Sequence, residues 1–257
     1  MGADYELKDL QLREVNKEFA SNFVKKYHYS KQCPTIILAI GEWIGIELKN
    51  IIVFNYCVGR EMANEVWGGD NSNTIELARM VSLEPKPKNM ESYCIAKALN
   101  YLKENYPQFK VIISYADNEV GHKGYCYQAS GFTYYGQSRP TAKWYLDGKR
   151  VHERTLNTKY GSTSLKALKE RFGDRLEYKL STQTKSRYYI ILAQDKREKR
   201  EIQSKIKVQS LPYPKGDNTR YDMTKVGNFK AVTEEEAEQE DTQELRQQIS
   251  LFDLNLI

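Results

Sequence analysis

Apolar residues recur along this chain with two different periods, and the changes of period mark its elements. Over residues 14–27, Val15, Phe19, Phe23 and Val24 fall at helical spacing, which predicts an amphipathic helix running into Tyr27-His28-Tyr29-Ser30. Two β-branched runs follow, IILAI at 36–40 and IIVFNYCV at 51–58, with Gly41 and Gly45 between or beside them. A third strand is predicted at 74–82, where alternation puts Ile75, Leu77 and Arg79 on one face and Glu76 and Ala78 on the other. Ser92 is expected to N-cap the next helix, with Glu91 near its positive end. Ile95, Ala98, Leu99 and Leu102 form that helix's buried stripe, and Asn105-Tyr106-Pro107 ends it.

The pattern is densest over residues 111–132. Val111 to Tyr115 reads as a buried strand, and Ala116-Asp117-Asn118 as the turn that ends it. Gly121, His122, Lys123 and Gly124 then open a short helix carrying Tyr125, Tyr127 and Gln128, which Gly131 closes. A strand that feeds a helix start leaves free N–H groups aimed at one spot, a place for an anionic ligand or a polarised carbonyl.

Beyond it, residues 133–152 read as a hairpin around Asp147-Gly148. A short basic helix is predicted at 162–172, and strands at 176–180 and 188–192. Lysines and arginines beside Tyr160, Tyr178, Tyr188 and Tyr189 suit phosphate contact and base stacking, and equally a solvated sheet edge. His152 belongs to the hairpin and reads as structural. The fold class is α/β over residues 1–195, with a basic arm at 196–232 lying on or near the body and an acidic tail at 233–257.

Charge sharpens that division. The 257 residues carry a formal +5, but residues 233–257 hold eight acids and one base, so residues 1–232, with 38 basic and 26 acidic side chains, carry +12. The run EEEAEQED is too acidic and too poor in apolar residues to fold alone, which predicts disorder there. A body this basic is a plausible partner for a polyanion. Cys33, Cys57, Cys94 and Cys126 are far apart with no C-x-x-C pair, which argues for reduced, packed thiols and against a disulfide framework or zinc site. Neither an apolar run of about 20 residues nor a signal-peptide pattern is present. The expectation is a cytoplasmic protein with no membrane partner.

Two sets of residues carry resemblances. The order Asn118, Tyr127, Gly131-Phe132 resembles the last segment of the GNAT N-acyltransferases, and the fuller string of YAD, GH, G and YQA is similar to the Mom proteins of bacteriophages. His28-Tyr29-Ser30 after the first helix, Glu76-Leu77-x-Arg79 on the third strand and the start TKYGSTS at 158–164 match the same family. The resemblance spans roughly residues 15–195 and implies a GNAT-like fold, an α/β arrangement with a mixed central sheet flanked by helices. It also implies a small acetamide-type (carbamoylmethyl) group placed on N6 of adenine in double-stranded DNA, shielding phage DNA from restriction. On this reading an acyl-CoA-type donor is held by Lys88, Asn118, Gly121 and Gly124.

One stretch departs from the GNAT pattern. Where those enzymes carry a glycine-rich pyrophosphate loop, this chain has SLEPKPKNMES, with Pro85, Lys86, Pro87, Lys88 and Asn89. Prolines remove N–H donors, so standard coenzyme binding is in question, although Lys86 and Lys88 can still meet a phosphate of coenzyme or DNA. Residues 248–252, Gln248-Ile249-Ser250-Leu251-Phe252, resemble the peptide with which bacterial proteins dock on the DNA sliding clamp. Leu251 and Phe252 would be the apolar plugs and Gln248 the orienting hydrogen bond. A terminal helix packing on its own body is the plainer reading.

The chemistry follows from the acceptor. Adenine N6 is conjugated and barely nucleophilic, so it must lose a proton as it attacks. His28, Tyr29, Arg79, Asp117 and Tyr127 are the candidate catalytic set: Asp117 or His28 to take the proton, Tyr127 as the acid on the donor side, Arg79 with His122 against developing negative charge. Glu76, Ser114, Tyr115, His122 and Tyr125 are candidates for substrate contact, with Tyr29 or Tyr125 stacking on an extruded base. Plainer readings stand beside these: His28 as a helix C-cap, and Glu76 with Arg79 as a strand-surface pair. No spacing among His28, Asp117 and His122 demands a metal. Two other functions remain open, a transferase of the same fold acting on a protein, aminoacyl or tRNA amine, and a non-enzymatic DNA- or clamp-binding factor.

Overall fold

The computed structural model describes residues 4–57, 61–140, 142–151, 153–180 and 184–216. Gln248, Leu251 and Phe252, the acidic tail and His152 lie outside them.

A short edge strand precedes the first helix. β1 (Gln11–Glu14) lies antiparallel to β2 (Leu38–Ile44), with Glu14 opposite Ile40. The periodicity of 14–27 missed it because an edge strand with only Leu12 half-buried has no apolar alternation to read. α1 (Lys17–Tyr27) starts at Asn16, whose Oδ1 accepts from the N–H groups of Glu18 and Phe19. It buries Phe19, Ala20, Phe23, Val24 and Tyr27 and stops where His28 turns extended.

β2 and β3 (Glu47–Asn55) form a hairpin that turns at Gly45, in the left-handed region at φ 61°. Gly41 sits inside β2, where a Cβ would meet Leu48 Cδ1 at 2.6 Å. α2 (Met62–Trp67) precedes β4 (Thr74–Ser82), and α3 (Met90–Asn105) follows it. The expected N-cap of α3 is corrected: the helix starts after Asn89 in a left-handed conformation, so Ser92 lies in its first turn and donates to the Asn89 carbonyl.

β5 (Val111–Asp117), a short 3₁₀ turn over Asn118–Val120 and α4 (Tyr125–Ala129) make up the central stretch. β6 (Thr133–Gln137) closes the edge of the main sheet, outside the expected hairpin. β7 (Ala142–Leu146) and β8 (Lys149–Val151) form that hairpin, with Asp147 and Gly148 both at positive φ. α5 (Glu153–Tyr160), α6 (Leu165–Phe172) and β9 (Leu176–Leu180) complete a lobe with its own core of Trp144, Leu156, Leu168 and Leu176. β10 (Lys185–Ile191) returns to the main sheet between β5 and β6, and α7 (Lys196–Lys205) follows, N-capped by Asp195.

The main sheet has the order β1-β2-β3-β4-β5-β10-β6, and only β4 and β5 run parallel. One face packs on α3 and α4 through Ile52, Phe54, Leu77, Ile95, Leu102 and Phe132. The other is covered by α1 at the β2–β4 end and by α2 and α7 at the β5–β10 end. This is the mixed sheet flanked by helices that the family resemblance implies. Among the described residues no helix is long and apolar enough to cross a membrane.

Candidate active site

The site forms where the parallel pair comes apart. β4 and β5 stay in register from Thr74 opposite Val111 to Leu77 opposite Ser114, and the pairing stops there. The Leu77 carbonyl at that point accepts instead from the buried Ser114 hydroxyl, at 2.9 Å. Past it, β4 follows β3 and β5 follows β10, leaving a gap between them.

A bulge aims the side chains that border this gap. Opposite β3, Phe54 faces Leu77 and Val53 faces Arg79, so Ala78 is an extra residue. Strict alternation would place Arg79 with Ile75 and Leu77 on the α3 face. The bulge turns it to the other face, the one Glu76 shares with Asn55, which corrects the alternation read from sequence. Arg79 is then held by Nε–H donating to the Gln32 carbonyl at 3.1 Å and Nη1 donating to the Ala78 carbonyl at 2.6 Å. Glu76 is 7% exposed, so it is no strand-surface residue.

The segment after α1 reaches across to the end of β5. Tyr29 donates to Asp117 Oδ2 at 3.5 Å, and its ring lies between two histidines, His28 at 4.3 Å and His122 edge-on at 5.4 Å between centroids. Asp117 Oδ1 accepts from the Glu119 N–H, which fixes the carboxylate at the strand end. From the opposite face, Tyr127 on α4 shares a hydrogen bond with Ser114 and lies within electrostatic reach of Tyr29 and Glu76. His28, Tyr29, Glu76, Arg79, Ser114, Asp117, His122 and Tyr127 thus gather around one gap from four separate segments.

Burial sets the protonation of this group. It pushes the Tyr127 phenol upward, as it does Tyr29, which rises to about 12 with Asp117 adding to the effect. Both are neutral phenols at neutral pH. Burial, reinforced by Arg79, His122 and Lys31, lowers His28 to about 3, and burial also lowers His122. His28 Nδ1 accepts from the Ser30 backbone N–H at 3.1 Å and lies 2.8 Å from Ser30 Oγ. A backbone N–H can only donate, so the proton of the neutral ring is on Nε2. His28 in this state is a hydrogen-bond donor with its basic nitrogen engaged. Ser30, present in the His-Tyr-Ser string but not singled out there, fixes that tautomer.

Other expected residues lie differently. The stretch after Asp117 runs through a 3₁₀ turn before a helix of five residues, so the expected helix start lies at Tyr125 rather than directly at the strand end. Tyr115 turns to the other side of β5 from Ser114 and packs with Cys57, Tyr135 and Tyr189. Tyr125 donates to the Gly216 carbonyl at 2.5 Å. Asn118 Oδ1 accepts from the buried Ser186 hydroxyl at 3.2 Å, a partner that no sequence signal marks. Gly121 ends the 3₁₀ turn at φ 78°. The space above Gly124 is taken by the Tyr188 ring, 2.6 Å from where a Cβ would stand, so its bareness serves packing rather than a cofactor.

The loop ahead of α3 does not fit a pyrophosphate. Lys86 is bound by Glu84 at 2.9 Å and Glu91 at 2.7 Å, and of the two lysines there Lys88 alone is exposed. A cavity of about 410 Å³ opens among Leu99, Lys103, Leu192, Gln194 and Lys199, at the opposite end of β10 from the gap.

Comparison with known proteins fits these residues into one family. The profile described as the Mom protein family matches residues 9–215. The chain is 31% identical over 221 residues to the methylcarbamoylase mom of Escherichia phage Mu, covering 82% of this chain and 86% of that protein. Among solved structures it is similar to spermidine N-acetyltransferase from Vibrio cholerae in complex with CoA and spermine, at 11% identity and TM-score 0.40, over 72% of this chain and 96% of that one. It is also similar to an acetyltransferase of the GNAT family from Streptococcus pneumoniae, at 7% identity and TM-score 0.41, over 72% and 99%.

Proposed function

The chain belongs to the Mom protein family, and from that premise we propose that it is a transferase placing a carbamoylmethyl group on N6 of adenine in DNA. The observation that carries this reading is the meeting of Asp117 and Tyr29 with Tyr127 across the gap between β4 and β5. An amine as weak as N6 needs a base at the nitrogen and an acid at the leaving group. Asp117 is the proton acceptor. Tyr127, kept neutral by burial, donates to the group that leaves as the new N–C bond forms. Arg79 and the Nε2–H of His28 supply positive potential beside the developing charge. The adenine enters extruded from the duplex, with the Tyr29 ring at the mouth as the surface against which it rests.

The donor is an activated carbamoylmethyl compound. An acyl-CoA-type donor is the expectation from the GNAT-like residues Asn118 and Tyr127, but the Lys86 ion pairs and prolines of residues 83–89 give its pyrophosphate no cradle.

Mass analysis of nucleosides from bacteria expressing the full chain tests the reading. A deoxyadenosine heavier by one carbamoylmethyl group is expected, lost with Asp117→Asn. An unmodified deoxyadenosine pool together with a modified RNA or protein amine would move the acceptor elsewhere in the cell. The tail peptide further supports a bacterial sliding clamp as partner, in the host cytoplasm where phage DNA is copied. Leu251→Ala with Phe252→Ala is expected to abolish binding to a purified clamp, and unchanged binding would remove the clamp from this account.

A further inference from the structure

The lobe interposed between β6 and β10 has one covered face and one open one. α5 and α6 cover the first, where Trp144 packs with Leu156, Leu168 and Leu176, and Trp144 meets Tyr178 edge-on. Strand register places the other face's residues. Lys143 pairs with Lys179 across β7 and β9, and Tyr145 pairs with Glu177 on one side and Arg150 on the other. These five share a face because side chains opposite one another in a sheet point the same way. Glu177 is the one acid among them, engaged with Lys179 at 2.8 Å, while Lys179 also lies over the Tyr145 ring at 5.1 Å.

This face is joined to the active site. Lys143 forms an ion pair with Glu119, two residues past Asp117, and Arg150 and Lys185 also act on the Glu119 carboxylate. Three cations around one acid leave an excess of positive charge at the rim of the gap. We propose that the helix-free face of this small sheet holds the DNA strand next to the modified adenine, by its phosphates, with Arg150 and Lys179 as contacts and Lys143 as the link to the site. The proposal rests on DNA as the acceptor. Charge complementarity selects the occupant, because a row of cations beside an adenine-accepting gap matches a backbone with one negative charge per nucleotide.

The test is binding of the purified full chain to a fluorescent duplex over a series of salt concentrations. Arg150→Glu with Lys179→Glu, both exposed positions, is expected to weaken binding by about tenfold or more and to flatten the slope of log affinity against log salt by about two, one for each lost phosphate contact. Its melting temperature is expected to match that of the parent chain. Lys196→Glu with Lys199→Glu, on α7 at the far end of β10, is expected to leave affinity within about twofold. The proposal is overturned if the lobe variant binds like the parent with the same slope. A gain in affinity would overturn it too, by placing the chain's own acidic residues on that face. A parent chain that binds no DNA at all would instead sink the DNA acceptor on which the proposal stands.

Discussion

Tyr29 and Asp117 are 88 positions apart in the chain, and the Tyr29 hydroxyl donates to Asp117 Oδ2 at 3.5 Å. That distance is at the outer limit of a hydrogen bond, so the pair is loose enough for a substrate nitrogen to displace the phenol from the carboxylate. In the proposed reaction Asp117 takes the proton and Tyr29 orders its carboxylate. Asp117→Asn keeps the oxygen that accepts from the Glu119 N–H and removes the charge together with the Oδ2 acceptor of Tyr29. It is expected to lower the modification rate by about 10²- to 10³-fold, whereas Tyr29→Phe lowers it about tenfold. Single-turnover rates on an adenine-containing duplex check this. Equal losses would make Tyr29 a participant in proton transfer.

The His28 ring is expected to remain neutral at pH 7 with its proton on Nε2, which nitrogen NMR reads directly. The same burial shapes stability in acid. The unfolded chain takes a proton on this histidine near 6.5, while the folded one does not until about 3. Below 6.5 the unfolded state therefore binds more protons, and stability falls as pH drops through that window, by up to about 1.4 kcal/mol per pH unit. His28→Gln should remove this part of the slope in urea titrations at pH 6 and pH 4.5.

Glu42 works in the opposite sense. It is fully buried on β2, accepts from Asn50 Nδ2 at 2.5 Å, and burial raises its carboxyl to about 8. The folded protein keeps this proton where the unfolded chain loses it near 4.5, so the stability it contributes is complete below 4.5 and is lost as pH rises through 8. Glu42→Gln preserves the shape and the acceptor for Asn50 without an ionisable group. It is expected to stabilise the protein by about 2 kcal/mol at pH 7 and by nothing at pH 4. A gain that persists at pH 4 would assign the effect to packing instead. Because the His28 and Glu42 slopes oppose each other between pH 4.5 and 6.5, the parent chain alone separates neither.

Two glycines flank α4 with nearly equal backbone angles and different surroundings. At Gly131, φ 79°, a methyl group on the Cα would have nothing within 4 Å, while at Gly124, φ 71°, it would meet the Tyr188 ring at 2.6 Å. Gly131→Ala is expected to cost about 1 kcal/mol, the left-handed penalty alone. Gly124→Ala adds overpacking of about 1–3 kcal/mol, and it shifts Tyr188, whose hydroxyl donates to the Lys123 carbonyl at 2.5 Å. Denaturant melts of the two variants side by side measure the difference.

Much of the site was legible because its segments carry local signals. Strand β5 announces itself by β-branched residues, Asp117-Asn118 by turn chemistry, and Gly131 by the helix end it closes, with the Phe132 N–H donating to the Tyr127 carbonyl. The family resemblance added His28, Tyr29, Glu76, Arg79 and Tyr127 as members of one set. β1, α2 and α5 escaped notice, since an exposed edge strand and short helices with few buried positions leave too weak a period to detect. Gly124 was misassigned for a different reason: a bare backbone position reads the same whether a ligand or a tyrosine ring fills the space.

By itself, then, the order of residues determined where most of the strands and helices lie, that the body is basic and the tail acidic, and which polar side chains interrupt apolar runs. Those properties are short-range: each depends on neighbours within a few positions. Only the folded chain decided the direction of Arg79, because the bulge at Ala78 arises from pairing with β3 and shifts the alternation by one residue. The tertiary structure likewise decided the Nε2 tautomer of His28, the sequestering of Lys86 between two acids, and the gap at Leu77 and Ser114. Each of these is set by atoms brought together across the sheet, where burial and register, not sequence distance, control the energy.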